Sequence, residues 1–160
     1  MSKKPRQITY ICGEENNDME LMELNDPRVS YNSIDNNNVV WLMELVRKGV
    51  NYNKFIQFAN SGPFNLVEWS GFLHLSERTM LRYKQEEKTF DSLQSEKIIE
   101  IAILQKKGTE VFGSTEKFNL WLHTENLALG KNIPKDLLDN TFGINLLKDE
   151  LTRIEYGILA

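Results

Sequence analysis

Ser76-Glu77-Arg78-Thr79, with Arg82 one helical turn on, is the stretch whose residue types translate most directly into chemistry. An arginine guanidinium can fork onto guanine O6 and N7, and a threonine methyl can pack on a thymine methyl. Ser76 stands in front of them as an N-cap, and the free amides of a helix N-terminus suit a phosphate. On a helix starting there, Glu77, Arg78, Thr79 and Arg82 face outward while Met80 and Tyr83 face inward. This is the chemistry of reading base edges. The same pattern also fits any small helical hairpin with arginines on its solvent face.

Other reactive residue types are scattered. The sequence has no GxSxG, no P-loop and no GxGxxG. His74 falls in a predicted turn and His123 at a helix end, neither beside a serine or cysteine that it could activate. Cys12 stands alone. Glu86-Glu87 and Asp149-Glu150 are adjacent on helices, so each pair diverges instead of closing on one substrate. One cysteine and two histidines, with no CxxC or HxxxH spacing, do not make a closed zinc site. The expectation is a binding protein and not an enzyme, with no catalytic residue, no metal and no cofactor.

Helical periodicity must position these groups from residue 39 onward. Val39, Leu42, Met43 and Val46 fall on one predicted inward face, ended by Gly49. Asn51 caps a second helix with Tyr52, Phe55, Ile56 and Ala59 inward. Asn65 with Glu68 forms a capping box for a third, whose inward residues are Leu66, Trp69, Phe72 and Leu73. A three-residue turn, His74-Leu75-Ser76, leads to the helix 77–84. Asp91 or Ser92 caps a helix over 93–112. Its apolar set (Leu93, Ile98, Ile99, Ile101, Ala102, Ile103, Leu104, Val111) is wider than one face. That fits either a central core helix or one shared between two subunits. Helices follow at 115–123, with Phe118, Trp121 and Leu122 inward, and at 143–156, with Ile144, Leu147, Leu151 and Ile154 inward. A loop over 130–134 and one turn at 136–138 lie between them, and Gly157 ends the last helix.

The reading is an all-α chain in three parts: a weakly ordered arm over 1–38, a helix-turn-helix domain over 39–90, and a dimerisation and partner-binding domain over 91–160. The arm is rich in asparagine, with Pro27 and the run Asn36-Asn37-Asn38 against a long helix. The whole chain has 160 residues and a net charge of -4, yet 39–90 alone is net +2. A basic middle is the sign expected for a surface facing phosphates. No run of 18 apolar residues and no apolar leader is present, so the expectation is a cytoplasmic protein without a membrane partner.

The C-terminal half carries a more specific signal. In order, it reads Trp121-Leu122, Asn126-Leu127-Ala128-Leu129-Gly130, Pro134-Lys135-Asp136-Leu137-Leu138-Asp139-Asn140-Thr141-Phe142-Gly143, and Leu151-Thr152-Arg153-Ile154-Glu155-Tyr156-Gly157. This series resembles the toxin-binding domain of Xre/MbcA/ParS-type antitoxins. Upstream, Ser76-Glu77-Arg78-Thr79 and Val111-Phe112-Gly113 are similar to the same antitoxins, and the resemblance spans about 39–160.

The resemblance implies an Xre-like helix-turn-helix domain followed by a small helical toxin-binding domain. It implies an antitoxin of a RES-Xre type II toxin–antitoxin system, whose partner is a RES-domain toxin that degrades NAD. Such an antitoxin is a homodimer that binds operator DNA, represses its own operon, and blocks the toxin's active site with its C-terminal segment. Carried over, the toxin-binding positions are Arg153, Glu155, Tyr156, Gly157, Ile158, Leu159 and Ala160. The DNA-binding positions are Ser76, Arg78, Thr79 and Arg82. Relatives usually have glycine where this chain has His74 and proline where it has Ser76, and they are often arginine-rich after the recognition helix, where Gln85, Glu86 and Glu87 here precede Lys88. Two carboxylates there weaken attraction to phosphates. A helix-turn-helix transcription regulator without a toxin partner is the alternative. A further expectation concerns the C-terminus: either Ile158, Leu159 and the Ala160 carboxylate enter the toxin's cleft as an apolar arm with an anion, or Ile158 and Leu159 fold back on Ile154.

Overall fold

The computed structural model describes residues 36–157. The arm over 1–38 therefore lies almost wholly outside the described residues, as do Ile158, Leu159 and Ala160. Seven α-helices, and no strand, form among the described residues. They are α1 (Asn36–Lys48), α2 (Tyr52–Ser61), α3 (Leu66–Phe72), α4 (Glu77–Gln85), α5 (Ser92–Phe112), α6 (Thr115–Leu122) and α7 (Thr141–Glu155). Two 3-10 turns, Leu127–Leu129 and Pro134–Leu137, connect α6 to α7.

Caps written in the sequence set most of these boundaries. The Asn51 side chain accepts from Asn53 N at 2.9 Å and opens α2. Asn65 and Glu68 form the reciprocal box at α3. Asp91 opens α5 the same way, with Gln94 completing its box. Asn140 accepts from Gly143 N at 2.9 Å, so α7 begins two residues before the periodicity suggests.

α5 is the centre. Ile98, Ile99, Ile101, Ala102 and Leu104 are all buried within this single chain, against α1, α6 and α7. Each buried Ile or Leu contributes about 1.5–3 kcal/mol, so the core reading accounts for the apolar girth of α5. Leu93, expected inward, lies in the first turn of α5, short of that packing, and is 76% exposed. Phe55 and Trp69 meet edge to face at 5.1 Å, and Phe55 meets Phe90 likewise, so aromatics fill the space between α2, α3 and the start of α5.

The inward face of α1 differs from expectation. Val39 and Met43 are exposed, and Leu45 is buried with Trp41, Leu42 and Val46 packed on the core. Both stripes have helical spacing. Turning the helix toward Trp41 and Leu45 covers a larger apolar surface than turning it toward Val39 and Met43 would. A short antiparallel contact then joins the two ends of the first part. Tyr52 N donates to Lys88 O at 3.0 Å and Phe90 N to Val50 O at 2.9 Å. Residues from both sides of position 90 share one core.

Candidate functional site

The hairpin α3–α4 presents the arginines as expected. Ser76 caps α4, accepting from Thr79 N at 3.1 Å, and its hydroxyl also meets the Thr79 hydroxyl at 2.9 Å. Ser76 and half-buried Thr79 are thus partly committed to building the helix start. Met80 and Tyr83 are buried, which turns Arg78 and Arg82 outward, four residues apart on one exposed face. That face is not purely basic: Glu77, Glu86 and Glu87 are exposed alongside.

The turn between the helices holds His74 at φ +53°, in the left-handed region that side chains with a Cβ seldom adopt. Its Nε2 lies 2.8 Å from the carbonyl oxygen of Asp139. A carbonyl only accepts, so Nε2 carries the proton. The hairpin turn is tied in this way to the residue before the cap of α7. His123 is likewise structural, its Nδ1 donating to Asn119 O at 2.8 Å.

A second tie lies beside the first. Lys135 Nζ, in the last 3-10 turn, donates to Glu68 Oε1 at 2.8 Å. The other Glu68 oxygen accepts from Asn65 N at 3.0 Å. Burial alone would raise the Glu68 carboxyl. The hydrogen bonds from Lys135 and Asn65, with the attraction of Lys135 and His123, outweigh it and hold the group below the ordinary value of 4.5. The hydrogen bond to Glu68 raises Lys135 in turn, against the opposing effect of desolvation. A cleft lined by Glu68, Gly71, Phe72, His74, Lys135, Asp136 and Asp139 separates the hairpin from the segment before α7.

Most residues of the C-terminal series have work inside the fold. Trp121 stacks on Phe118 at 5.9 Å. Asn126 accepts from Ala128 N at 2.8 Å to form the first 3-10 turn. Pro134 opens the second. Gly143 lets α7 cross that turn closely, since a Cβ there would sit 1.9 Å from the Leu137 carbonyl oxygen. Buried Lys107 donates to the Thr152 hydroxyl, which donates to Lys148 O at 2.8 Å, and so fastens α5 to α7.

The end of α7 is different. Glu155, Tyr156 and Gly157 are exposed, Tyr156 by 73%. Gly157 turns the chain at φ +66° and leads to Ile158, Leu159 and Ala160, outside the described residues. Arg153 is half-exposed, with Nη1 3.3 Å from the carboxylate of buried Glu150. The sequence pairing Asp149-Glu150 splits as its geometry requires, Asp149 to solvent and Glu150 inward. The role of Glu150 as partner of Arg153 was legible only in their i, i+3 spacing.

One comparison bears on the C-terminal part of this arrangement. Residues 107–157 match the antitoxin Xre/MbcA/ParS C-terminal toxin-binding domain. The match begins at the lysine that fastens α5 to α7 and ends at the glycine that turns the chain after α7. It covers about a third of the chain and supports an antitoxin role in a toxin–antitoxin pair. No curated protein matches the chain. The matched residues divide into a buried scaffold and an exposed α7 end. No helix among the described residues is long and apolar enough to cross a membrane.

Proposed function

We propose that this chain is the antitoxin of a RES-Xre type II pair. Its C-terminal segment enters the active-site cleft of a RES-domain, NAD-degrading toxin. The observation that carries the reading is the exposed end of α7 within a matched toxin-binding domain. An exposed tyrosine with no packing role inside the chain is a common kind of contact residue at protein interfaces. Arg153, Glu155, Tyr156 and Gly157 form the approach, and Ile158, Leu159 and Ala160 the part that enters the cleft.

In this reading the same chain represses its own operon as a dimer, with α4 in the major groove. Arg78 and Arg82 read bases, Ser76 and the amides it leaves free face phosphate, and Thr79 supplies a methyl. The outward pairing of Arg78 and Arg82 supports it. Exposed Glu77, Glu86 and Glu87 favour a second reading, a toxin-binding module without operator binding. A gel shift on the upstream DNA at several salt concentrations separates them, because phosphate contacts make affinity fall steeply with salt.

The test of the main reading is cellular NAD after the neighbouring gene is induced. NAD falls without this chain and is restored with it. An unchanged NAD level, or a fall that this chain does not reverse, overturns the reading.

A further inference from the structure

α7 carries two stripes. Gly143, Ile144, Leu147, Glu150 and Leu151 are buried against the rest of the chain. On the opposite side, Phe142, Leu146, Asp149, Arg153 and Tyr156 follow at spacings of 4, 3, 4 and 3 residues, which place them on one line along a helix. Phe142 is 88% exposed and Leu146 41%. Other exposed leucines of the matched segment do not extend in this way. Leu120, for example, has charged Glu116 and Lys117 and polar Thr124 for exposed neighbours.

We propose that this outer stripe of α7, from Phe142 to Tyr156, is a continuous docking face for the toxin, with Phe142 as an apolar anchor at the end remote from the C-terminal segment. The proposal rests on the antitoxin reading above and enlarges the contact that it names. Three observations commit the face to that occupant. The stripe lies wholly inside the segment matched to a toxin-binding domain. It runs without a break into Tyr156, at the approach to the cleft. It also stands on a helix fixed by the Asn140 cap, the Gly143 crossing and the Lys107–Thr152 contact. A fixed helix spends little conformational entropy on docking. At 1.5 Å per residue the stripe is about 21 Å long, enough for several contacts in one line. The matching toxin surface is an apolar pocket for the phenyl ring and the Leu146 side chain, with a cation near Asp149.

The test uses the full chain and the purified product of the neighbouring gene. Phe142→Glu is suited to it, because a carboxylate in the first turn of a helix is compatible with the helix dipole and the side chain lies almost wholly outside the core. Leu146→Glu is the second variant, and Tyr156→Ala reports on the antitoxin reading itself. The expected result is a loss of toxin affinity of at least tenfold for Phe142→Glu and for Leu146→Glu, with the melting temperature unchanged. If both keep wild-type affinity while Tyr156→Ala is weakened, the stripe is overturned and the antitoxin reading stands. If they are weakened while Tyr156→Ala is not, the continuous face ending at Tyr156 is overturned together with the C-terminal reading. If Phe142→Glu changes only the oligomeric state of the chain alone, the face belongs to a second copy and the proposal is overturned. Failure of the wild-type chain to bind overturns both.

Discussion

His74 Nε2 donates to the carbonyl oxygen of Asp139 at 2.8 Å, from a backbone held at φ +53°. The left-handed turn of the helical hairpin is thereby fastened to the residue that precedes the cap of α7. In this chain the side chain that strains the turn also supplies a tertiary hydrogen bond.

That arrangement inverts the usual ranking of substitutions. His74→Ala keeps a Cβ at positive φ and loses the bond, so it should destabilise by about 1 kcal/mol. His74→Gly also loses the bond but relieves the strain, and should be the less harmful of the two. Urea midpoints of the two variants check this. A glycine variant less stable than the alanine variant contradicts the account of the strain.

The Glu68–Lys135 pair should be visible as a pH dependence. Glu68 titrates below its ordinary value of 4.5 in the folded chain. Its contribution is therefore full above the unfolded value and lost as pH falls through the lower folded one. Lys135 is raised, so its share is present below its unfolded value and lost only as pH rises through the higher folded one. Glu68→Gln keeps a residue able to complete the capping box but removes the charge. Its melting temperature should fall less steeply than that of the wild type on acidification below about pH 4.5, and the two curves should converge at low pH.

Gly143→Ala should cost about 1–3 kcal/mol or more, the cost of overpacking. The new Cβ would meet the backbone oxygen of Leu137 at 1.9 Å, and a carbonyl in a 3-10 turn cannot rotate aside as a side-chain tip can. The damage should localise to the junction of the last 3-10 turn with α7, read as faster amide exchange at Leu138 and Ile144. An alanine variant of wild-type stability contradicts the close crossing.

Arg78→Ala tests the operator proposal. Loss of a bidentate base contact should weaken specific binding by about 1–3 kcal/mol, while leaving the melting temperature unchanged because the side chain is exposed. Equal binding by the variant removes Arg78 from the reading face.

Caps and periodicity made much of this architecture readable in advance. Asn51, Asn65, Ser76 and Asp91 each sit in front of an apolar repeat, and each caps the helix it precedes. Local chemistry settles such sites. Which way α1 turns was not legible, since Val39 and Trp41 both fit a helical repeat and only packing on α5 chooses between them. The ties between the hairpin and the α7 segment were equally hidden. Glu68 and Lys135 are 67 residues apart, as a surface glutamate and a loop lysine would be in any chain. The exposed end of α7 could be located from the terminal motif, but the division of that motif into scaffold and surface needed the burial of Gly143, Leu147 and Glu150.

The most direct test of the antitoxin account is the rate of NAD loss catalysed by the purified product of the neighbouring gene, titrated with this chain. The account predicts that NAD loss stops at saturating antitoxin, and that Tyr156→Ala needs at least ten times more protein for the same effect. NAD consumption that continues at full rate under saturating wild-type chain, or a partner that does not consume NAD at all, would contradict it.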